Sequence, residues 1–367
     1  MTVQNYYVDS SAGVPSGGDG SSSSPWGSIQ ESADNWTGGA YNVVIIHCKG
    51  SETWSSAIDL SSAASAYGYE LRGYETTIND GGKYTIDIDG NSWPSAGKQY
   101  WSFTDLHLKN TGTNAYFHNM SSGYFTYFYR CKFSDWNIGT GIDRVVGPDS
   151  DASFVFNCEF SDIDGVACGG PGRMFGNFFH NSGTREMTTC IDQSGGRAYN
   201  NVISVDGATT GIESERAASC WNNTVFSAGG TGTGIYMTKG MNGIQGNVIA
   251  GFSGVGGKGI ELKSYGYDAR RYCSSNSVYN CATAYDLNDS SLWMYIDIDN
   301  ETLAATPFAE SGSATTLSNV YEYFAPQDVG SVLTGGNFGA PRGAFGLNAA
   351  GSSGSSVFPA YPHQSGT

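Results

Sequence analysis

Acidic and aromatic side chains recur at one position of this sequence, directly after an apolar residue. These residues are Asp192, Glu213, Tyr236, Glu261 and Asp286, and each follows an isoleucine or, at the last position, a tyrosine. Carboxylates held roughly 5 to 10 Å apart are the pairs that glycoside hydrolases use. If the protein is catalytic, Asp192 and Glu213 are therefore the candidate acid/base or nucleophile pair.

The same positions are candidates for binding a glycan without cleaving it. Tyr236, Glu261 and Asp286 offer a ring and two hydrogen-bonding carboxylates, while Arg216 and Lys263 complement an anionic sugar. The alternative is a solvated acidic face that keeps the protein soluble. No strict catalytic motif accompanies these residues, and the five histidines form no recognisable Ser-His-Asp arrangement.

Short acidic pairs make calcium an optional cofactor, although none is required. Asp87 and Asp89, like Asp162 and Asp164, flank an isoleucine, so both carboxylates of a pair would share one face of a strand. Oxygen ligands suit Ca²⁺, but a full EF-hand loop is absent from the sequence. The alternative is a set of turns at strand ends with solvated acids.

Two repeating series indicate the elements that position these residues. An asparagine followed by apolar residues recurs every 19 to 30 residues or so, at Asn157, Asn177, Asn201, Asn223, Asn247 and Asn276. In phase with it, Ile191, Ile212, Ile235 and Ile260 begin stretches that alternate with period two. Short strands at this spacing, with Gly, Ser and Asn turns, predict a β-solenoid with stacked inward isoleucines.

We therefore predict an all-β, single-stranded parallel β-helix, a β-solenoid, of roughly ten coils. Residues 1–39 are assigned to an N-terminal cap with a short helix, and residues 40–300 to the β-helix. Residues 301–350 are assigned to an irregular C-terminal cap, and residues 351–367 to a Gly/Ser linker and extended tail. Val357, Phe358 and Tyr361 in that tail are expected to anchor it to a neighbouring subunit, or alternatively along the chain's own helix.

Composition excludes several classes of protein. The formal net charge is −16, with 18 basic and 34 acidic residues, so no nucleic-acid partner is expected. No apolar stretch is long enough for membrane insertion, and residues 1–7 do not read as a signal peptide. Most of the eight cysteines are expected to be buried small hydrophobes, with Cys131 and Cys158 in one inward ladder. Trp54, Trp101, Trp136 and Trp293 are expected to fill the core, with sugar stacking as the alternative.

Stretches near both ends resemble the pectin-lyase-like superfamily of right-handed parallel β-helices, in the manner of phage virion or tailspike proteins. They are Tyr7-Val8-Asp9, Gly18-Asp19-Gly20, Pro25-Trp26-Gly27-Ser28-Ile29-Gln30 and Gly335-Gly336-Asn337-Phe338-Gly339-Ala340-Pro341-Arg342-Gly343-Ala344-Phe345. The handedness of the helix follows from this resemblance. It implies polysaccharide lyases, hydrolases, tailspikes or non-enzymatic surface proteins, and a fold alone does not choose among them.

Our preferred expectation is a structural virion protein: a capsid decoration, fibre or spike subunit that contacts host-surface glycans. Its protein partners would be other virion subunits, and it would be a homo-oligomer or a particle-bound chain. Polysaccharide is a further expected partner. The protein would be found at the virion surface or in the extracellular space. One alternative is a tailspike-like polysaccharide lyase or glycoside hydrolase that uses the acidic positions. A further alternative is a secreted surface adhesin.

Overall fold

The protein is an all-β parallel β-solenoid. A computed structural model describes residues 2–11, 17–36, 43–58, 68–91, 100–113, 125–137, 144–146, 153–170, 172–181, 185–215, 218–238, 242–263, 270–286 and 294–308. It has about 8 turns, slightly fewer than the predicted ten. The chain divides into two compact units, residues Met1–Gly196 (unit 1) and Arg197–Thr367 (unit 2). Strands of three parallel sheets are present in each unit, and they are numbered below in chain order.

The described part of unit 1 contains helix α1 (Ile29–Asn35) and strands of three sheets. In the first sheet the order is β1 (Val3–Asp9), β2 (Val43–Lys49), β4 (Gly68–Tyr74), β6 (Tyr100–Thr104), β8 (Phe125–Tyr129), β12 (Ser153–Phe156) and β15 (Arg173–Phe175). In the second it is β3 (Ser51–Thr53), β5 (Tyr84–Asp87), β7 (Leu106–Lys109), β9 (Lys132–Ser134), β13 (Glu159–Ser161) and β16 (Phe178–His180). The third contains β10 (Trp136–Asn137), β11 (Arg144–Val146), β14 (Ile163–Gly169) and β17 (Met187–Ser194).

Unit 2 contains the remaining strands of the same three sheets. Its first sheet has the order β18 (Arg197–Tyr199), β21 (Ser219–Trp221), β24 (Asn242–Gln245), β27 (Arg270–Ser274) and β30 (Met294–Ile298). Its second has β19 (Val202–Val205), β22 (Thr224–Ser227), β25 (Val248–Ala250), β28 (Ser277–Tyr279) and β31 (Glu301–Leu303). Its third has β20 (Thr210–Glu215), β23 (Thr233–Met237), β26 (Lys258–Leu262) and β29 (Thr283–Asp286).

The first and last described strands of the solenoid lie outside the predicted boundaries of the β-helix, residues 40–300. Strand β1 lies within the segment assigned to the N-terminal cap, yet it pairs in parallel with β2 from Val3 to Asp9. The expected helix is present as α1, where the Ser28 hydroxyl accepts the amide of Glu31 as an N-cap. Strand β31 extends the solenoid to Leu303. Residues 309–367, including Val357, Phe358 and Tyr361, lie outside the described residues.

One turn recurs at the corner between the first and second sheets. A residue with positive φ is followed by a buried residue whose backbone leads into the second sheet, as at Asn222-Asn223 and Asn200-Asn201. Asparagine tolerates the left-handed conformation, which explains its frequency here. Asn157, however, has the positive φ itself (53°), and Cys158 takes the buried position after it. Asn157 is therefore one residue out of register with the other five repeated asparagines.

The predicted isoleucine stack is present. Ile212 on β20 lies opposite Ile235 on β23, which lies opposite Ile260 on β26, and all three are fully buried. Ile191 on β17 of unit 1 is also fully buried, opposite Cys168. Because side chains alternate along a strand, the residue after each isoleucine points away from the core. This alternation positions the candidate site.

Candidate functional site

Four of the predicted residues form one register column on the third sheet of unit 2. Glu213 pairs with Tyr236, Tyr236 with Glu261, and Glu261 with Asp286. Adjacent strands of a sheet lie about 4.8 Å apart, so neighbouring side chains in this column are within contact distance. The column of unit 2 does not include Asp192, which lies on β17 of unit 1. Arg216 lies outside the described residues.

A lysine that the sequence analysis missed binds two carboxylates of the column. The ammonium of Lys258 lies 2.5 Å from Oε1 of Glu261 and 2.6 Å from Oδ2 of Asp286. Burial alone would lower the pKa of Lys258, but these bonds outweigh burial and raise it. Alternation along β26 puts positions 258 and 261 on opposite faces, so no sequence signal indicated that their side chains meet.

Lys263, which was predicted, lies beside the same carboxylate. Its Nζ is 3.0 Å from Oε1 of Glu261 and 5.5 Å from the ring centroid of Tyr236. The hydrogen bond to Glu261 raises the pKa of Lys263. Thr233 Oγ1 donates to the second oxygen of Glu261 at 3.4 Å, and Glu261 is buried. We call Thr233, Tyr236, Lys258, Glu261, Lys263 and Asp286 the lysine–carboxylate cluster.

The chemistry of this cluster favours binding over acid–base catalysis. A glycosidase acid must carry a proton, and its partner carboxylate must be free to attack or to activate water. Here both oxygens of Glu261 already accept bonds, and Asp286 is paired with Lys258. The side chains left most open are those of Lys263, about half exposed, and Asp286, about one-third exposed. An ammonium and a carboxylate can hydrogen-bond to sugar hydroxyls, and the neighbouring tyrosine ring can pack against the sugar.

The two candidate catalytic residues lie in different units. Asp192 Oδ2 is 3.6 Å from Nη2 of Arg144, and both side chains are about one-quarter exposed. Glu213 lies on β20 of unit 2 and is half-buried. Their proposed pairing therefore stays a prediction.

The acidic pairs proposed for calcium lie in turns as well as on strands. Asp87, at the end of β5, accepts the amide and the hydroxyl of Thr111, and its Oδ2 is 3.6 Å from Lys109 Nζ. Burial would raise the pKa of Asp87, but the bonds from Thr111 and Lys109 lower it. Asp89 and Asp162 have positive φ (42° and 50°), so neither continues the alternation of a strand. Within the described ranges no three His, Cys, Asp or Glu side chains group together as metal ligands.

Unit 1 has an aromatic surface that the sequence analysis did not predict. On the outer face of its first sheet, strands β6, β8 and β12 present six rings, which we call the aromatic ridge: Tyr100, Phe125, Tyr127, Tyr129, Phe154 and Phe156. The alternate residues, such as Trp101 and Phe128, are buried. Since Phe125–Tyr129 is aromatic at four of five positions, its inward and outward residues cannot be separated from sequence.

The rings of the ridge stack along the solenoid. Tyr100 and Phe125 have centroids 5.3 Å apart, and Tyr127 and Phe154 4.8 Å apart, each pair with planes 5° from parallel. Rings stacked between adjacent strands present their edges, not their faces, to solvent. The guanidinium of Arg173 lies 5.5 Å over the ring of Phe154. Apolar edges with a cation suit a protein surface better than sugar stacking.

The buried positions of three predicted tryptophans and of seven of the eight cysteines confirm core filling, while Cys281 is half-buried. Trp54, Trp101 and Trp136 are each at most 4% exposed, which excludes sugar stacking in this conformation, and Trp293 lies outside the described residues. Cys131 and Cys158 occupy equivalent corner positions of successive turns and are buried. Burial raises the pKa of Cys158, so its thiol stays protonated.

The comparisons add no family to these observations. Neither a protein-family model nor a curated protein sequence matches this chain. Among the described residues, no helix has the length and apolar character needed to cross a bilayer.

Proposed function

We propose that this protein is a structural, non-catalytic subunit of a phage-like particle. In this proposal the lysine–carboxylate cluster contacts host-surface glycans, and the aromatic ridge packs against a neighbouring virion subunit. The protein would lie at the virion surface or in the extracellular space.

One observation supports binding over catalysis at the lysine–carboxylate cluster. Lys258 and Lys263 neutralise Glu261 and Asp286, so these carboxylates are used as ion-pair partners. Cluster and ridge together provide one polar and one apolar surface, as expected for a subunit that meets both a glycan and a partner. The parallel β-solenoid is compatible with this role and with the enzymatic alternative.

Glycan binding and cleavage can be measured on the same panel of capsular and O-antigen polysaccharides. We expect wild-type binding with no fall in polymer length, and a loss of about tenfold in affinity in Lys263→Ala, the size of one good charge-assisted contact. Lys49→Ala is the matched control, because Lys49 is a partly exposed lysine paired with Asp9 in unit 1. Equal affinity of Lys263→Ala and Lys49→Ala would contradict the glycan site.

The measurement of polymer length in the same assay distinguishes our proposal from the enzymatic alternative. Robust depolymerisation by the wild type, lost in Asp192→Asn or Glu213→Gln, would replace our proposal with a lyase or hydrolase. Imaging native particles with a labelled antibody tests the virion assignment. Glycan binding without any particle label would favour the surface adhesin.

A further inference from the structure

Two exposed aromatic side chains lie on the outer face of the first sheet in unit 2, on strands that flank β24. Trp221 on β21 is 36% exposed, and Tyr272 on β27 is 49% exposed. The alternate residues Cys220, Ile244 and Cys273 are fully buried, so both rings point away from the core. Single exposed rings are common on protein surfaces, and the arrangement of these two therefore decides whether they form a site.

A glycine lies between the two rings. Gly243 on β24 pairs with Tyr272 on one side and with Ser219, two residues before Trp221, on the other. A Cβ at position 243 would lie 3.3 Å from Nε1 of Trp221, which is less than the spacing of about 4.8 Å between neighbouring strands. The indole therefore leans from its own strand across β24, into space that a larger side chain at position 243 would fill.

This lean leaves one face of the indole open to solvent. One face lies towards the backbone of β24, so the opposite face points away from the sheet. The ring of Tyr199 has its centroid 5.5 Å from that of Trp221 and is tilted by 36°, so it does not stack flat on the indole. In the aromatic ridge of unit 1, by contrast, stacked rings only 5° from parallel present their edges. Trp221 is therefore suited to packing against a flat ligand.

Hydrogen-bonding side chains border the two rings. Gln245 pairs with Trp221, and Ser274 pairs with Gln245 in the next strand. Arg197, which is exposed, pairs with Ser219, and Ser219, Gln245 and Ser274 are all half-buried. Amide, hydroxyl and guanidinium groups thus lie around an apolar ring face. A pyranose ring has the complementary chemistry, since it has an apolar face of C–H bonds and a rim of hydroxyl groups.

We propose that Trp221, Gly243 and Tyr272 form a binding site for a neutral oligosaccharide, which we call the tryptophan platform. One sugar ring packs on the open face of the indole, and a second sugar unit reaches Tyr272, two strand spacings or about 10 Å from β21. Among the described side chains that border the rings, two hydroxyls and an amide outnumber one charge, that of Arg197, and this favours a neutral sugar. The site goes beyond the proposed function, because it lies on a different sheet from the lysine–carboxylate cluster and does not depend on it.

The small area of the platform favours a sugar over a protein partner. A stable protein interface covers roughly 800 Å² of each partner, with an apolar centre. Two rings separated by a glycine offer much less apolar surface than this. A sugar ring needs only one aromatic face and a few hydrogen bonds at its rim.

Isothermal titration calorimetry of the full-length protein with maltohexaose, cellohexaose and mannohexaose tests the platform. At least one of these neutral sugars should bind the wild type, and Trp221→Ala should lower its affinity by about tenfold, because it removes the face on which the sugar packs. Phe125→Ala is the matched control and should leave the affinity unchanged, because Phe125 is 37% exposed but stacks edge-on in the ridge. If none of the three sugars binds, or if Trp221→Ala binds like the wild type, the proposal is wrong.

Gly243→Val tests the orientation of the indole separately from its presence. Valine suits a β-strand, so the circular dichroism spectrum should not change, but its methyl groups would displace the indole. We expect the affinity for the same sugar to fall several-fold in Gly243→Val and to stay at the wild-type value in Lys263→Ala. Unchanged affinity in Gly243→Val, or an equal fall in Lys263→Ala, would overturn the platform. A dimer in sedimentation velocity that Trp221→Ala abolishes would also overturn it, since a second copy would then be the occupant.

Discussion

The corner between the first and second sheets is built differently in the two units. In unit 2 the buried corner residues are asparagines whose amides bond in series: Nδ2 of Asn223 donates to Oδ1 of Asn247 at 3.0 Å, and Nδ2 of Asn247 donates to Oδ1 of Asn276 at 2.9 Å. In unit 1 the equivalent positions include Cys131 and Cys158, which pack as small hydrophobes. The same turn therefore tolerates either a polar ladder or an apolar one.

The interior column beside the corner differs in the same way. In unit 1, Phe160 stacks between Phe133 and Phe179 at centroid distances of 4.7 and 4.6 Å. In unit 2 the equivalent positions are aliphatic, as at Val225 and Ile249. Apolar contacts are non-directional, whereas each amide of the ladder must meet its partner. The stability of unit 1 should thus depend on the volume of its buried side chains. The stability of unit 2 should depend on whether every buried amide of the ladder has a hydrogen-bond partner.

The largest expected effect is the loss of volume in unit 1. Phe160→Ala should lower the free energy of unfolding by roughly 3–5 kcal/mol, because it removes a fully buried ring from the middle of a stack. Val225→Ala in unit 2 is the matched control and should cost about 2 kcal/mol. Urea denaturation measures the free energy of unfolding of both variants. An equal loss in the two would show that the phenylalanine stack contributes no more to stability than the aliphatic column.

The next effect concerns the ladder. Asn247→Ala leaves the amide and Nδ2 of Asn223 and the carbonyl of Cys220 without their bonds to this side chain. Each unsatisfied buried group costs about 1–3 kcal/mol, so we expect a loss of about 3 kcal/mol. Cys158→Ala, at the equivalent corner of unit 1, should cost about 1 kcal/mol. If Asn247→Ala is as mild as Cys158→Ala, the ladder is a consequence of the fold and not a support for it.

Acid should affect unit 1 before unit 2. Burial first, and then Lys132 and Lys109, lower the pKa of His107 to about 4, while Asp135 and Glu159 oppose them. An unfolded histidine titrates near pH 6.5, so between pH 6.5 and 4 the unfolded state binds more protons and the stability of unit 1 falls as pH falls. His363 is the single histidine of unit 2. Amide protection factors, which correct for the slower intrinsic exchange at low pH, should therefore fall from pH 7 to pH 5 more in unit 1 strands than in unit 2 strands, and His107→Asn should reduce this difference.

The smallest effect should come from the exposed lysine of the cluster. The side chain of Lys263 is about half exposed, and exposed ion pairs contribute little to stability. We expect Lys263→Ala to change the free energy of unfolding by less than about 1 kcal/mol while it weakens glycan binding. A large loss of stability would instead assign Lys263 a structural role.

Much of the fold could be predicted because its determinants are local and repeated. The corner asparagines and the isoleucines recur once per turn, and the alternation of a strand then assigns neighbouring residues to the core or to the surface. The column of Glu213, Tyr236, Glu261 and Asp286 follows from that pattern. Asn157 was placed one residue out of register because asparagine suits both the positive-φ position and the buried position after it.

The sequence by itself determined that this chain is a parallel β-solenoid and which residues form its outward acidic column, since both depend on spacing along single strands. Only the tertiary structure decided that Lys258 joins Glu261 and Asp286, and that Phe308 returns to Phe226. These contacts join side chains from different turns or from opposite sides of one strand. Their geometry depends on how the turns pack, and no periodicity in the sequence encodes it.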